Sequence, residues 1–354
     1  MKIAIVASLL VPVPPDQGGG AEQIINELAH GLAKRGHSIT VFCAGRSTLS
    51  GKNIKSVECS PYPTLEHIGE NRKWEVAQFR TLIERQSEFD IIHFNYEPVV
   101  FHIKQDGADI NLLDSFEKPV ACTFHNITTV AETTEYYRSS PSLFRHTMIF
   151  VSEKQRNNVS FFTNTRVIYN AIPLKHFPVE ERKENYLLFL GRITPVKGIL
   201  ESIQVARKSN IPLKIVAGMG PADREFYESE VESQIDGDFI KYIGSLNFTK
   251  KINYLKKARC LLFPILWEEP FGLVMIEALA CGTPVVAFRR GSVPEIIQDG
   301  VNGFIVDNVD EMVEAVGKIA MISPAKCRES VEKRFSVERM IDEYEDLFNK
   351  ISVK

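Results

Sequence analysis

Two glutamates eight residues apart, and an arginine and a lysine five apart, are the side chains of this sequence best suited to chemistry. Glu269 and Glu277 lie in WEEPFGLVMIEALACGTPVVAFRRGSVPEIIQDGVNGFIV, residues 267–306. Pro270 and Gly272 mark a strand-to-helix turn, so backbone N–H groups at Gly272, Leu273 and Val274 are expected at the carboxyl edge of a sheet. That edge is where α/β proteins bind ligands, and a helix N-terminus there favours an anion. Glu269 precedes the helix and Glu277 lies within its first two turns, so both can accept hydrogen bonds from a hydroxyl-rich ligand. A second segment, FLGRITPVKGI at 189–199, follows another strand. Gly191 is expected to let that strand end turn sharply, so that Arg192 and Lys197 converge on a diphosphate.

Each residue also has a plainer explanation. A carboxylate before a helix is favoured by the helix dipole, a helical glutamate is commonly solvated, and both cations could be surface groups. For either carboxylate alone the plainer reading is preferred; for the two cations it loses ground because their loop falls at the same sheet edge as the glutamates. His125, in TFHN at another strand end, is a functional candidate although a lone histidine is often structural. Other features carry less weight. Gly218-Met219-Gly220 has two glycines of a dinucleotide fingerprint, but Asp223 stands at the third, which argues against a nicotinamide site. Asp236-Gly237-Asp238 imitates a metal-binding D-x-D yet reads as turn chemistry before a strand. No histidine or cysteine cluster has metal-ligand spacing. Lys250, Lys251, Lys256, Lys257 and Arg259 could touch anionic lipid, but a solvated basic helix face explains them more simply.

The elements that must position these residues alternate between buried strand and helix, the signature of parallel βαβ sheets. Strands are expected at 2–8, 39–44, 90–96, 119–126 and 147–151, with a helix from Ala21 stopped at Gly36. Residues 60–88 and 97–116 read as loops with short helices. The pattern restarts with strands at 186–191, 213–218, 240–243, 260–264, 284–288 and 303–306, and helices near 198–209 and 272–281. Two helical patterns, 310–321 and 336–351, close the chain, the last carrying Met340, Ile341, Tyr344, Leu347, Phe348 and Ile351 on one stripe.

At 354 residues the chain suits two α/β domains. The expected division is an N-terminal Rossmann-like domain at 1–168, a linker at 169–184, a second Rossmann-like domain at 185–330, and a closing helix at 331–354. A net charge of -3, from 42 Lys+Arg against 45 Asp+Glu, offers no general field for nucleic acid. The six cysteines fall singly, as reduced packing residues do in a cytoplasmic protein. KIAIVAS is too short for a signal peptide or a membrane span, and no apolar run approaches ~18 residues.

On these motifs the chain resembles the large retaining glycosyltransferase family with the GT-B fold, family four or group 1, which includes bacterial glucosyl-, galactosyl- and mannosyltransferases. Glu269 and Glu277 match its E-x7-E, Gly191 to Gly198 its G-R-x-x-x-x-K-G, and Gly19, Gly20, Ala21 and Glu22 its G-G-x-E. Asn170–Ile172 resembles its N-G-I/V hinge, with Ala171 in place of glycine. The resemblance covers nearly the whole chain. It implies a GT-B fold: two Rossmann-like, doubly wound parallel-sheet domains facing across a deep cleft that closes in catalysis, with the C-terminal helix packed back on the N-domain. It further implies that Arg192 and Lys197 bind the donor diphosphate, Glu277 the ribose hydroxyls and Glu269 the transferred sugar. His125 matches the histidine beside the anomeric carbon, and Gly20 the glycine whose backbone approaches phosphate and acceptor.

Breaking a sugar–phosphate bond builds negative charge on the departing nucleoside diphosphate. Arg192, Lys197 and the N–H groups at 272–274 could neutralise it without a metal or other cofactor. No carboxylate is an obvious nucleophile, so attack by the acceptor hydroxyl on the face from which the diphosphate leaves is expected, as the family's retention implies. UDP-glucose is the first choice of donor, from family frequency alone. The acceptor, whether sugar, lipid-linked or small molecule, is expected to meet loops around 9–20, 60–75, 95–105 and 126–146. The rivals are a GT-B epimerase or phosphorylase and, from another class, a dehydrogenase or ligand-binding protein.

Overall fold

The computed structural model describes residues 1–15, 19–61, 71–96, 102–105, 108–126 and 141–352. Much of the loop sequence expected to meet an acceptor lies outside the described residues. The chain divides into two compact units, one of Met1–Ala171 with Val337–Lys354, the other Ile172–Ser336.

The first unit is built on a seven-stranded sheet of order β3-β2-β1-β4-β7-β8-β9. Its strands are β1 Lys2–Val6, β2 Ser38–Ala44, β3 Ile54–Ser60, β4 Ile91–Phe94, β7 Val120–Phe124, β8 Thr147–Phe150 and β9 Thr165–Val167, paired in parallel throughout. Ile3 to Val6 are fully buried, as a central strand covered on both faces requires. β5 His102–Gln105 and β6 Ala108–Asn111 form a separate antiparallel pair. Helix α1, Gly20–Lys34, buries Ile24, Ile25, Leu28, Ala29 and Leu32. The sequence expectation for this unit lacks β3, the antiparallel pair β5 and β6, the short edge strand β9 and the 15-residue extent of helix α2, Asn71–Arg85. α2 is anchored by the buried Gln78, whose amide donates to the carbonyls of Ala7 and Phe42 at 3.2 and 3.3 Å.

The second unit holds a six-stranded parallel sheet, order β12-β11-β10-β13-β14-β15. Its strands are β10 Leu187–Arg192, β11 Leu213–Gly218, β12 Ile240–Tyr242, β13 Cys260–Phe263, β14 Val285–Phe288 and β15 Gly303–Val306. Helices α3 Ile199–Ser209, α4 Phe248–Lys257, α5 Leu273–Ala280, α6 Val309–Lys318 and α7 Pro324–Arg334 accompany it. The strand order reverses between β10 and β13, so the crevice beyond their carboxyl ends is the expected ligand position in this unit.

The stretch expected as one closing helix, 331–354, spans two. α7 belongs to the second unit, where Arg328 donates to the carbonyls of Phe177 and Ala280 at 2.7 and 3.0 Å. Helix α8, Val337–Ser352, belongs to the first. There it buries Met340, Ile341, Tyr344, Leu347 and Phe348, while Ile351, expected on the same stripe, is half-buried. Arg35 is paired with Asp342 and with Glu345, and His37 Nε2 lies 2.6 Å from Glu345. Deeper in, Thr123 Oγ1 joins Tyr344 Oη at 3.0 Å and His93 Nε2 at 2.8 Å. Among the described residues no helix is long and apolar enough to cross a membrane.

Candidate active site

The end of β10 differs from the sequence expectation. Gly191 makes no sharp turn; it lies within the strand, paired with Ala217 of β11, and a Cβ there would only touch the Phe189 ring at 3.8 Å. The glycine the turn requires is Gly198, left-handed at φ 74°, where a Cβ would fall 1.9 Å from the Pro264 carbonyl oxygen. This contact brings the 194–198 turn directly onto the loop after β13, and Leu266 N–H donating to Val196 O at 2.8 Å ties the two together. Lys197 is thereby delivered to Glu269.

Glu269 Oε2 accepts from Lys197 Nζ at 2.6 Å and from the Trp267 indole Nε1 at 2.7 Å. The same ammonium stands 4.7 Å from the Trp267 ring centroid. The glutamate's backbone is pinned from the other side, because Gly291 approaches so closely that a Cβ would lie 2.2 Å from Glu269 O. Ser292 N–H donates to that carbonyl at 3.0 Å. Glu269 is therefore fixed through main chain and side chain alike.

Gly272 is left-handed at φ 77° and begins α5 with no side-chain cap, which leaves the helix start to the backbone groups of Gly272, Leu273 and Val274. Glu277 is 9% exposed on this helix, among Met275, Ile276, Ala278 and Leu279. Its Oε1 pairs with Lys251 Nζ at 2.6 Å, while the buried Oε2 has no hydrogen-bond partner. Lys251 thus leaves the solvated basic face assigned to 250–259. Lys257 too is engaged, with Glu184 at 3.0 Å.

Arg192 ends β10 with a side chain 66% exposed, its Nη2 2.9 Å from Asp223 Oδ2. That oxygen also accepts Gly220 N–H at 3.1 Å. Asp223, noticed in the sequence only because it breaks a glycine fingerprint, holds a cation at the carboxyl edge of the sheet. Asp236 behaves as read, its Oδ1 accepting N–H groups of Asp238, Phe239 and Ile240 at 2.9, 2.7 and 3.0 Å.

The remaining two candidates lie in the first unit. His125 directly follows β7 and is half-buried. The pKa of the buried His93 is held down to about 3, chiefly by burial and secondarily by its neighbour His125. Gly20 opens α1 in helical conformation, and the left-handed residue is its neighbour Gly19, φ 81°. At Gly19 a Cβ would meet Glu22 Oε2 at 2.9 Å. Glu22 accepts from Ser8 Oγ at 2.7 Å, and burial raises its pKa. The structure therefore brings Lys197 and Glu269 into direct contact and sets Arg192, Glu277 and the 272–274 backbone in the same unit. Trp267, Lys251 and Asp223, which contact these candidates, are not singled out for the site by the sequence; Trp267 lies beside Glu269 in the motif, whereas Lys251 and Asp223 come from 26 and 31 residues away and carry no local signal.

The fold recurs in solved structures at low identity. A sucrose-phosphate synthase from Thermosynechococcus elongatus superposes with TM-score 0.77 at 20% identity, covering 99% of both chains. Anabaena HepE, solved in complex with UDP and glucose, gives 0.76 at 17%, covering 99% of this chain and 100% of that one. Among sequence relatives, the N-acetyl-alpha-D-glucosaminyl L-malate synthase of Bacillus anthracis is 23% identical over 373 residues, 93% of each chain. The O-antigen chain mannosyltransferase C of Escherichia coli is 23% identical over 364 residues, 94% of this chain and 95% of its own. Residues 173–333 match the family model of glycosyl transferases group 1, and residues 18–176 that of glycosyltransferase family 4. With two Rossmann-like units, and both models matched in succession, the chain belongs to the group 1 glycosyltransferases of GT-B fold.

Proposed function

We propose that the protein transfers a hexose from a nucleoside diphosphate sugar, UDP-glucose first, to an acceptor hydroxyl with retention of configuration and without a metal. The observation that carries this reading is the Lys197–Glu269–Trp267 cluster beside the uncapped start of α5. Glu269 is the counter-ion of Lys197. A donor diphosphate is the chemically matched replacement, being anionic and met by Lys197, Arg192 and the N–H groups at 272–274. Glu269, released from the lysine and still held by the indole, then accepts from hydroxyls of the transferred sugar. Glu277 Oε2 takes the ribose hydroxyls.

As the leaving oxygen gains charge, Lys197 and the helix start stabilise it more strongly than they do the ground state, which is how binding becomes rate acceleration. No carboxylate is assigned as nucleophile, so the acceptor hydroxyl attacks on the face from which the diphosphate leaves. His125 and Gly20 are assigned beside the sugar and the acceptor. UDP as the leaving group is supported by the structural relative solved with UDP and glucose.

The test is a thermal-shift panel of UDP-, GDP- and ADP-sugars, followed by NMR of the product's anomeric configuration. A ligand at a hundred times its Kd adds about 2.7 kcal/mol, a shift easily read. Stabilisation by no nucleotide sugar overturns the donor reading. Sugar release or epimerisation independent of any acceptor overturns transfer.

A further inference from the structure

We propose that Lys251 is a positioning residue of the donor site, which sets the orientation of Glu277 and cancels its charge. The inference rests on the reading of Glu277 as the acceptor for the donor's ribose hydroxyls. A carboxylate buried among the apolar residues of α5 is costly unless paired. Lys251 supplies the pair at 2.6 Å from Oε1 and comes from an element built to hold it. Asn247 caps α4, its side chain accepting Lys250 N–H at 3.0 Å, and Lys251 N–H donates to Asn247 O at 2.9 Å. The ammonium stands 5.3 Å from the Phe248 ring centroid and its side chain is only 23% exposed, so the stem has little freedom.

Two consequences follow for a donor. With Oε1 engaged, the carboxylate cannot rotate freely, and Oε2, buried and without a hydrogen-bond partner, is the acceptor left for a diol. An ionised Glu277 without its lysine would also repel an incoming diphosphate, whereas the pair is neutral. Lys251 acts through Glu277 in both respects, which separates it from Lys197, whose ammonium is assigned to the diphosphate itself.

The experiment is calorimetric binding of UDP, GDP or ADP, whichever the wild type binds most tightly, to folded full-length variants. Lys251→Met, which keeps the stem and removes the charge, is expected to weaken binding about tenfold or more. Lys251→Arg is expected to restore affinity to within about threefold. In the Glu277→Gln background, Lys251→Met should add less than about a twofold further loss, since its effect runs through the carboxylate. An equal fold-loss in both backgrounds, or Lys251→Arg no better than Lys251→Met, would overturn the proposal. If Glu277→Gln weakens binding and Lys251→Met does not, the proposal fails while the donor reading stands. If the wild type binds no nucleoside diphosphate, or Glu277→Gln changes nothing, the donor reading fails and takes the proposal with it.

Discussion

Replacing Trp267 with phenylalanine isolates one hydrogen bond at the centre of the site. The indole N–H and the Lys197 ammonium share Glu269 Oε2, at 2.7 and 2.6 Å, and the phenyl ring keeps an aromatic face beside the lysine. A hydrogen bond to a charged group contributes about 1.5–3 kcal/mol, and partial solvent access at the lysine and glutamate reduces this to about 1–2 kcal/mol. Lys197 still holds the carboxylate after the substitution, so folding should barely register the change, with Tm shifting by less than about 3 °C. If, as proposed, a donor diphosphate draws Lys197 away, the indole is the remaining tether, and its loss appears in full. At about 1.4 kcal/mol per tenfold, kcat/KM should fall about 5- to 30-fold. The loss should sit mainly in kcat, and discrimination between glucose and galactose donors should narrow because the sugar is less well oriented. Initial rates of nucleoside diphosphate release with both donors provide the assay. A kcat/KM within twofold of wild type, or a loss confined to KM, would refute the tether.

Glu277→Gln should raise the donor KM with a modest loss of turnover and little dependence on the sugar, whereas Glu269→Gln should depress turnover and alter preference among epimers; the opposite pattern reverses the two assignments. Turnover should persist in EDTA, and loss restored by manganese or magnesium would show that Arg192 and Lys197 do not suffice. Gly198→Ala must move the Pro264 carbonyl as well as adopt a left-handed backbone, so denaturant unfolding should register a loss of at least about 2 kcal/mol; below about 0.5 kcal/mol the packing argument is wrong. His93 has a folded-state pKa of about 3 against 6.5 ordinarily, so the unfolded chain binds its proton first as pH falls. Stability from this group is complete above about pH 6.5 and lost at about 1.4 kcal/mol per pH unit down to about pH 3. His146, lowered to about 4, adds a similar slope over its own window. Urea unfolding from pH 7 to 5 should be shallower in His93→Leu, and an unchanged slope would place the acid sensitivity elsewhere.

The sequence alone determined the elements whose residues all respond to one environment. Central strands such as Ile3 to Val6 are apolar on both faces because both are covered, and the α8 stripe repeats at the period of the surface it buries. The motifs of the candidate site were legible for a related reason: strand, turn and helix start are consecutive in the chain, so 189–199 and 267–277 name their own positions at a sheet edge. What failed was structure set by distant neighbours. β3 is an edge strand carrying Lys55 and Glu58, so it lacks a continuous apolar run, and α2 earns its place through Gln78 reaching the carbonyls of Ala7 and Phe42. Gly191 and Gly198 look alike as letters; the loop after β13, pressing Pro264 against Gly198, decides which of them turns. Charge partners are the clearest case. Lys250 and Lys251 are neighbours in one basic run, yet tertiary packing leaves the first exposed and sends the second 26 residues onward in the chain to Glu277. Ionic attraction depends on distance in space and on burial, and neither quantity is written in the spacing of charged residues along a chain.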